Sequence, residues 1–412
     1  MNDTITYAAW SLGIAAVTAE QERALGPILQ GRDVFVCLRT GGGKSLLYQL
    51  PAMLDGPGEL TLVFSPLRAL QSDQVGALRR KGVRAALLNS DLSKREQAVT
   101  LADFCANGGL LYLAPEQLKN PQVWDALLHA HVRRIVVDEA HILPQVERGF
   151  RKAFRRIGKL VTALPVRPQV LALTATATPQ DMERIEKSLR MTDTIRCVFP
   201  IRRKNIRMLI KKIEVRGRGN VTNRLRHVRL VAVEQAIMAY RKKGATIVYC
   251  PTVGDVRRTA KWLRGRGYPA HKYHGKMRPK SREKAQRAFL EKKRPIIVAT
   301  SAFGLGIDRP DVRLVIHAGL PLGMDAYVQE IGRAGRDGKK ARAVLLYAPQ
   351  DAAVCKRILG RSGSKKTVRR GLKSLDALQK AIQSDRCMWQ SIERYFGQKK
   401  SEKCGKCSQC IR

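Results

Sequence analysis

The sequence predicts an α/β protein: two tandem domains, each a parallel sheet with crossover helices, followed by a small helical unit. Three observations carry that expectation. Short apolar, β-branched runs alternate with amphipathic stretches, the pattern of strands covered on both faces. The alternation pauses at a basic, proline-marked joint around residues 200–205 and then begins again. Beyond Ala348 the strand signal stops, and basic helical stretches lead into a cluster of cysteines.

Taken in order, residues 34–38, 60–64, 134–137 and 170–173 read as the strands of the first half. Residues 246–249, 296–298, 312–316 and 343–347 read as those of the second. A chain of 412 residues is too long for one ordinary core, and the domain limits are set at 1–200, 201–348 and 349–412. No residue-level repeat relates the two halves, so their similarity rests on pattern. The glycine- and arginine-rich stretch at 216–226 reads as a solvated surface loop.

Hydrophobic residues make up 44% and charged residues 27%, an ordinary globular composition that excludes disordered and collagenous chains. The charge is not ordinary. Lysine and arginine total 77 against 34 acidic residues, a formal net charge of +43, which points to a polyanionic partner, nucleic acid first. A membrane-surface binder would concentrate that charge on an amphipathic anchor, and here it is spread along the whole chain. The opening MNDTITYAAW has no basic region followed by an apolar one, and no apolar run is long enough to span a bilayer. A cytoplasmic location without membrane partners is expected, nucleoid-associated if the source is bacterial.

Nine cysteines divide into two groups. Cys37, Cys105, Cys197, Cys250 and Cys355 are scattered, mostly in apolar runs, and read as buried thiols of a reducing compartment. Cys387, Cys404, Cys407 and Cys410 crowd the C-terminus, a C-x16-C-x2-C-x2-C spacing whose four thiolates suit a closed tetrahedral Zn²⁺ site. A C-x-x-C redox pair and an iron–sulfur cluster are the alternatives; the redox pair leaves two cysteines unexplained.

Thr40-Gly41-Gly42-Gly43-Lys44-Ser45 follows an expected strand and opens a helix-like stretch, the setting of a phosphate-binding loop. Glycines let backbone N–H groups surround phosphate oxygens, Lys44 reaches the β and γ phosphates, and Ser45 ligates Mg²⁺. The full pattern has a further glycine where this chain has Leu38. Later, Asp138-Glu139-Ala140-His141 ends another expected strand. Adjacent carboxylates there suit two tasks, Asp138 holding Mg²⁺ and Glu139 polarising the attacking water.

These and five further stretches resemble superfamily 2 helicases, and more narrowly RecQ-type DNA helicases, over nearly the whole chain. The stretches are GRDVFVCLRTGGGKSLLYQLPA, SPLRALQSDQV, LLYLAPEQL, DEAH, ALTATAT, IVATSAFGLGIDRPDVRLVIH and QEIGRAGRDG, in that order. The resemblance implies two RecA-like domains with a zinc module. It also implies an ATP- and Mg²⁺-dependent motor expected to move 3′ to 5′ on single-stranded DNA and to open forks in repair or recombination, with a single-strand-binding protein as a further candidate partner. By resemblance Gln21 reads the adenine edge, and Arg333 and Arg336 reach across from the second domain, Arg336 as the finger on the transferring phosphoryl group. Ser65, Pro66, Thr174, Thr176 and His274 match segments that contact the DNA backbone or relay nucleotide state. CMWQSIERYFGQ resembles the helix of the family's zinc module.

The chain departs from the family in places. Val146 and Arg148 stand where the loop after DEAH carries tryptophan and histidine, while Gln145, Phe150 and Arg151 match, so base-stacking coupling of DNA to hydrolysis is expected to be weaker. Thr18 and Arg39 replace an arginine and a proline near the nucleotide. The sequence stops at Arg412, before the family's usual winged helix, from which poor opening of long duplex is expected. A noncatalytic nucleic-acid-binding protein and an RNA helicase are the rival readings. The first is opposed by Lys44, Asp138, Glu139 and Arg336 standing together, the second by the zinc module.

Overall fold

A computed structural model describes residues 3–65, 68–89, 91–142, 148–215, 220–240, 244–304, 309–361, 364–399 and 401–411, with the side chains of 3–4, 68–70 and 148–154 also outside the description. By its internal contacts the chain divides into two compact units, Met1–Ile201 and Arg202–Arg412.

The first unit is built on seven parallel strands, β1 (Val34–Cys37), β2 (Leu60–Phe64), β3 (Ala85–Leu88), β4 (Gly109–Leu113), β5 (Val132–Val137), β6 (Gln169–Thr174) and β7 (Ile195–Val198). Their order is β3-β4-β2-β5-β6-β1-β7. The central strands are apolar without alternation because helices cover both faces of the sheet; every residue of β1, β2 and β6 is buried. Two cores result. Phe35, Leu62, Phe64 and Ile135 pack on one face, and Val34, Val36, Val63 and Leu171 on the other. The in-line register Cys37↔Thr174 and Val137↔Ala172 brings the C-terminal ends of β1, β5 and β6 side by side.

The second unit holds six parallel strands in the order β10-β11-β9-β12-β13-β8. These are β8 (Ile206–Lys212), β9 (Ala245–Tyr249), β10 (Ala270–Tyr273), β11 (Ile296–Ala299), β12 (Val312–Ala318) and β13 (Ala341–Tyr347). Helices Asp351–Gly360, Lys365–Gln383 and Met388–Tyr395 follow and belong to the same compact unit. The cysteine segment is stitched to the edge strand: Ser408 N–H donates to Met208 O at 3.1 Å, and Ile210 N–H donates to Ser408 Oγ at 2.7 Å.

One expectation needs correction. The stretch 216–226 is not a loop throughout, because helix Val221–Tyr240 begins inside it. Asn220 Oδ1 accepts the N–H of Asn223 at 3.1 Å, and no glycine or proline follows to stop the helix. Residues 216–219 lie outside the description. Among the described residues no helix is long and apolar enough to cross a membrane.

Candidate nucleotide site, arginine turn and cysteine centre

The phosphate-type loop joins β1 to helix Leu46–Leu54. Gly41 and Gly43 hold φ of 78° and 73°, the left-handed region that side chains resist. A Cβ on Gly42 would come within 2.7 Å of the Leu38 side chain, and one on Gly43 within 2.4 Å of Gln21 Nε2. Leu38, the departure from the glycine pattern, is therefore the wall against which Gly42 is packed. Ser45 Oγ accepts from Gln74 Nε2 at 2.8 Å, and Gln74 Oε1 accepts from the Tyr48 hydroxyl at 3.2 Å.

Gln21 is buried rather than a surface residue. Thr18 caps helix Ala19–Leu29 in a reciprocal box, with Gln21 Oε1 accepting Thr18 N–H at 2.9 Å. Gln21 Nε2 donates to Gly42 O at 3.1 Å and Gly43 O at 3.4 Å, tying the loop to that helix. The two departures near the nucleotide have structural tasks: Thr18 is this cap, and Arg39 pairs with Glu20.

Asp138 and Glu139 leave the end of β5. Asp138 N–H donates to Phe64 O and Ala140 N–H to Leu173 O, both at 2.9 Å, so the acidic turn is held by strands on either side. Glu139 adopts φ 52°, rare for a residue with a side chain, and its N–H donates to Asp138 Oδ1 at 2.9 Å. That turn places Glu139 Oε2 3.2 Å from His141 Nδ1, which lies 3.1 Å from Thr174 Oγ1. Thr174 Oγ1 in turn donates to Thr176 O at 3.0 Å and accepts Thr176 N–H at 3.2 Å. A continuous polar chain thus runs from Glu139 to the threonines after β6. Burial pushes the Asp138 carboxyl up to about 6, the Glu139 carboxylate adds to this, and the Lys44 ammonium opposes it. Lys44 and Asp138 therefore feel each other's charge, as a phosphate–cation site requires.

Of the other residues matched by resemblance, Ser65 is buried after β2, with its carbonyl accepting from Gln71 Nε2 at 2.9 Å. Pro66 and residues 143–147, including Gln145 and Val146, lie outside the description, as do the side chains of Arg148, Phe150 and Arg151. His274 is buried, and neither ring nitrogen finds a partner among the described residues. Burial and the cations Arg257, Lys272 and Lys276 push its pKa down. An uncharged, unpartnered imidazole amid cations is a setting suited to an anion.

In the second unit Arg333 and Arg336 stand in the turn after helix Met324–Ile331, on either side of Gly335 at φ 56°. Both guanidinium charges are felt by the Tyr249 hydroxyl, which donates to Phe303 O at 2.8 Å. A Cβ on Gly304 would fall 1.8 Å from Arg333 Nη2, so any side chain there would displace the guanidinium from its present position. Glu330 Oε2 lies 2.8 Å from His317 Nε2, and the His317 ring stacks on Tyr249 at 5.5 Å.

The four C-terminal cysteines come together, with all their Sγ atoms within 4.8 Å of one another. Sγ–Sγ distances are 3.9 Å for Cys404–Cys410 and Cys387–Cys407, and 3.5 Å for Cys407–Cys410. A tetrahedron with Zn–S bonds of 2.3 Å has edges of about 3.8 Å, so the spacing fits zinc. It does not fit a disulfide, whose sulfurs stand about 2.05 Å apart. Cys404 N–H donates to Cys387 Sγ and Cys407 N–H to Cys404 Sγ, both at 3.3 Å. Burial pushes the Cys387 thiol up, but the N–H groups of Gln390 and Cys404 together with the Cys404 and Cys410 thiols outweigh it and bring it down to about 7. Burial raises the neighbouring Cys404 thiol and takes Cys407 to about 12, so Cys387 is the thiol of the cluster set to ionise first. Burial likewise raises the scattered Cys37 to about 11 and both Cys250 and Cys355 to about 12.

Sequence reasoning missed Gln74, which orients Ser45, and Arg203 and Asn205, which hold the arginine turn. Gln74 lies within the SPLRALQSDQV stretch and Arg203 and Asn205 within the basic joint at 200–205, but no local pattern assigns them these tasks.

The fold and these sites are those of the helicase class, with two parallel-sheet units. The chain matches the DEAD/DEAH box helicase family over residues 18–185, the helicase conserved C-terminal domain over 229–338 and the RecQ zinc-binding family over 349–411. It is 34% identical over 393 residues to ATP-dependent DNA helicase RecQ of Bacillus subtilis, covering 95% of this chain and 64% of that protein. It is 37% identical to the probable ATP-dependent DNA helicase RecS of the same organism, covering 84% of this chain and 67% of that protein. The chain belongs to the RecQ family of helicases. It spans under two thirds of the length of most of these curated relatives, 61% in the Haemophilus influenzae RecQ. Solved structures share the fold at lower identity. The DNA-bound helicase MrfA has a TM-score of 0.69 at 18% identity, over 88% of this chain and 54% of that one. Mss116p bound to single-stranded RNA has 0.67 at 17%, over 96% and 88%. DNA-bound and RNA-bound neighbours superpose equally well, so the fold does not choose between the two nucleic acids.

Proposed function

We propose that this chain is an ATP-dependent DNA translocase and helicase that moves 3′ to 5′ on single-stranded DNA. The observation that carries the reading is the convergence of three loops, those after β1, β5 and β6, at neighbouring strand ends of one sheet. That is where parallel α/β sheets bind nucleotides. Backbone N–H groups of residues 41–45 and the Lys44 ammonium hold the β and γ phosphates of ATP. Ser45 and Asp138 are the residues that would hold Mg²⁺, which supplies charge neutralisation at the phosphates.

Glu139 accepts the proton of the attacking water, oriented for it by His141. Gln21 takes the adenine edge when nucleotide enters, exchanging its bonds to the loop carbonyls for it. Arg333 and Arg336 stabilise the charge that develops on the transferring phosphoryl group, with Arg336 as the finger. The chain Glu139–His141–Thr174–Thr176 carries the change at the γ-phosphate to a segment whose hydroxyls and N–H groups suit sequence-independent phosphate contacts, which Ser65 extends within the first unit, while His274 offers a separate phosphate contact in the second. The +43 charge supplies affinity for the polyanion. Cys387, Cys404, Cys407 and Cys410 hold Zn²⁺, which fixes the segment docked on β8.

DNA in preference to RNA is supported by the RecQ-type zinc module and by the DNA helicases among its relatives. The test is ATP turnover measured with single-stranded DNA, duplex DNA and RNA at several salt concentrations. Strong stimulation by single-stranded DNA is expected, with log affinity falling against log salt at about −0.7 per phosphate neutralised. Equal or greater stimulation by RNA would overturn the assignment.

A further inference from the structure

Residues 200–205 read as a joint in the sequence, yet Arg203 is only 8% exposed. Its guanidinium faces the backbone of the arginine turn. Nη2 donates to Gly335 O at 2.6 Å and Ala334 O at 3.3 Å, Nη1 donates to Gly332 O at 3.4 Å, and Nε donates to Asn205 Oδ1 at 3.3 Å. Asn205 completes the grip, with Nδ2 donating to Gly335 O at 2.8 Å and Lys339 O at 2.9 Å. Its own carbonyl accepts Ala341 N–H at 3.0 Å. Two side chains thereby take up the carbonyls of residues 332, 334, 335 and 339. From the β12 side, Arg313 grips the Asp337 carboxylate with both terminal nitrogens.

The neighbours of Arg203 in the chain are tied elsewhere. Arg202 Nη1 donates to Ser401 Oγ at 3.3 Å and to Glu402 O at 2.9 Å, and the carbonyl of Lys204 accepts from Lys406 Nζ. The segment, which turns into β8 at Ile206, is therefore a strut: Arg202 and Lys204 are anchored on the cysteine module, and Arg203 and Asn205 hold the turn.

We propose that Arg203, assisted by Asn205, is a positioning residue for Arg333 and Arg336. It touches no substrate. It fixes the peptide groups on both sides of Gly335, from which the two arginines are presented. Carbonyls crowded into a tight turn repel one another, and a planar guanidinium with five donors joins several of them where an ammonium cannot span the same set. The inference rests on the ATPase reading given above.

The test uses the full chain with Arg203→Ala, Arg203→Lys and Asn205→Ala, each alone and with Arg336→Ala. Arg203→Ala is expected to lower DNA-stimulated kcat by about 10–100-fold, the scale of a displaced catalytic group, with the KM for ATP little changed. Arg203→Lys recovers little of the loss, and Asn205→Ala loses less. In the Arg336→Ala background the further loss shrinks to the part that acts through Arg333, because Arg336 is no longer there to be positioned. Backbone amide exchange over residues 332–341 should quicken in Arg203→Ala while the rest of the unit is unchanged. Wild-type kcat in Arg203→Ala, or a full additional loss on top of Arg336→Ala, would overturn the proposal. So would unaltered exchange in the turn, which can be read even if the wild-type chain proves to hydrolyse no ATP; that last result would sink the functional reading instead.

Discussion

Lys44→Ala or Glu139→Gln is expected to abolish measurable ATP turnover while single-stranded DNA is still bound. The two changes act on different parts of the same reaction. Lys44 is the positive charge that the buried Asp138 carboxyl feels across the loop. Removing a preorganised electrostatic group of this kind costs about 10²–10³ in kcat, and more where it also holds the ground state. Glu139→Gln keeps the size and the hydrogen-bonding capacity of the side chain but removes the base, a loss of about 10²–10⁴. The two variants should therefore differ in nucleotide affinity: Lys44→Ala weakens ATP binding, whereas Glu139→Gln binds ATP normally and fails to turn it over. Equilibrium nucleotide binding together with steady-state hydrolysis checks both. Near-normal hydrolysis in Glu139→Gln would remove that residue from the role of base, and intact ATP affinity with intact turnover in Lys44→Ala would dismantle the phosphate site.

Loss of the metal is expected to have the second large effect. Structural zinc in small modules contributes apparent binding free energies of about 10–16 kcal/mol, and that energy is folding energy. Cys387 and Cys407 are buried, so a chain without the metal would have to accommodate crowded thiols inside the module. Purified protein should carry one zinc per chain. Cys404→Ser, or stripping with a strong chelator, should unfold the segment containing residues 387–411 and expose it to protease. Because Ser408 is hydrogen-bonded to β8, the damage should reach that edge of the sheet and slow amide exchange should be lost at Ile210. Iron with inorganic sulfide in place of zinc, or a metal-free tail as protease-resistant as the native one, would contradict the assignment.

The central strands were legible in the sequence because burial on both faces leaves an uninterrupted apolar, β-branched run, as in 34–37 and 296–299. The strands that were not legible have other compositions. β3 reads AALL and β4 GLLYL, which lack β-branched residues and suit a helix equally well. β10 reads AHKY, and lies at an edge where one strand partner replaces propensity as the reason to extend. The chemistry was legible wherever a motif is contiguous: glycines before Lys44, the Asp138–Glu139 pair, the cysteine spacing. It was invisible where a side chain serves backbone carbonyls far along the chain. Arg203 grips Gly335 across 132 residues, and peptide carbonyls carry no sequence signature. Gln74 reaches the Ser45 hydroxyl across 29 residues, a side-chain pairing that only the folded chain brings together. Gln21 was singled out by resemblance, but its bonds to Gly42 and Gly43 could be found only from coordinates.

Directional strand displacement tests the central claim most directly. Short duplexes bearing a single-stranded tail on either the 3′ or the 5′ side are incubated with the chain, ATP and Mg²⁺ at fixed salt, beside a nonhydrolysable ATP analogue. A motor of the kind proposed here displaces the strand from 3′-tailed duplex only while ATP is hydrolysed, and leaves 5′-tailed duplex closed. Displacement that proceeds equally with the analogue, or a preference for the 5′-tailed substrate, would contradict it.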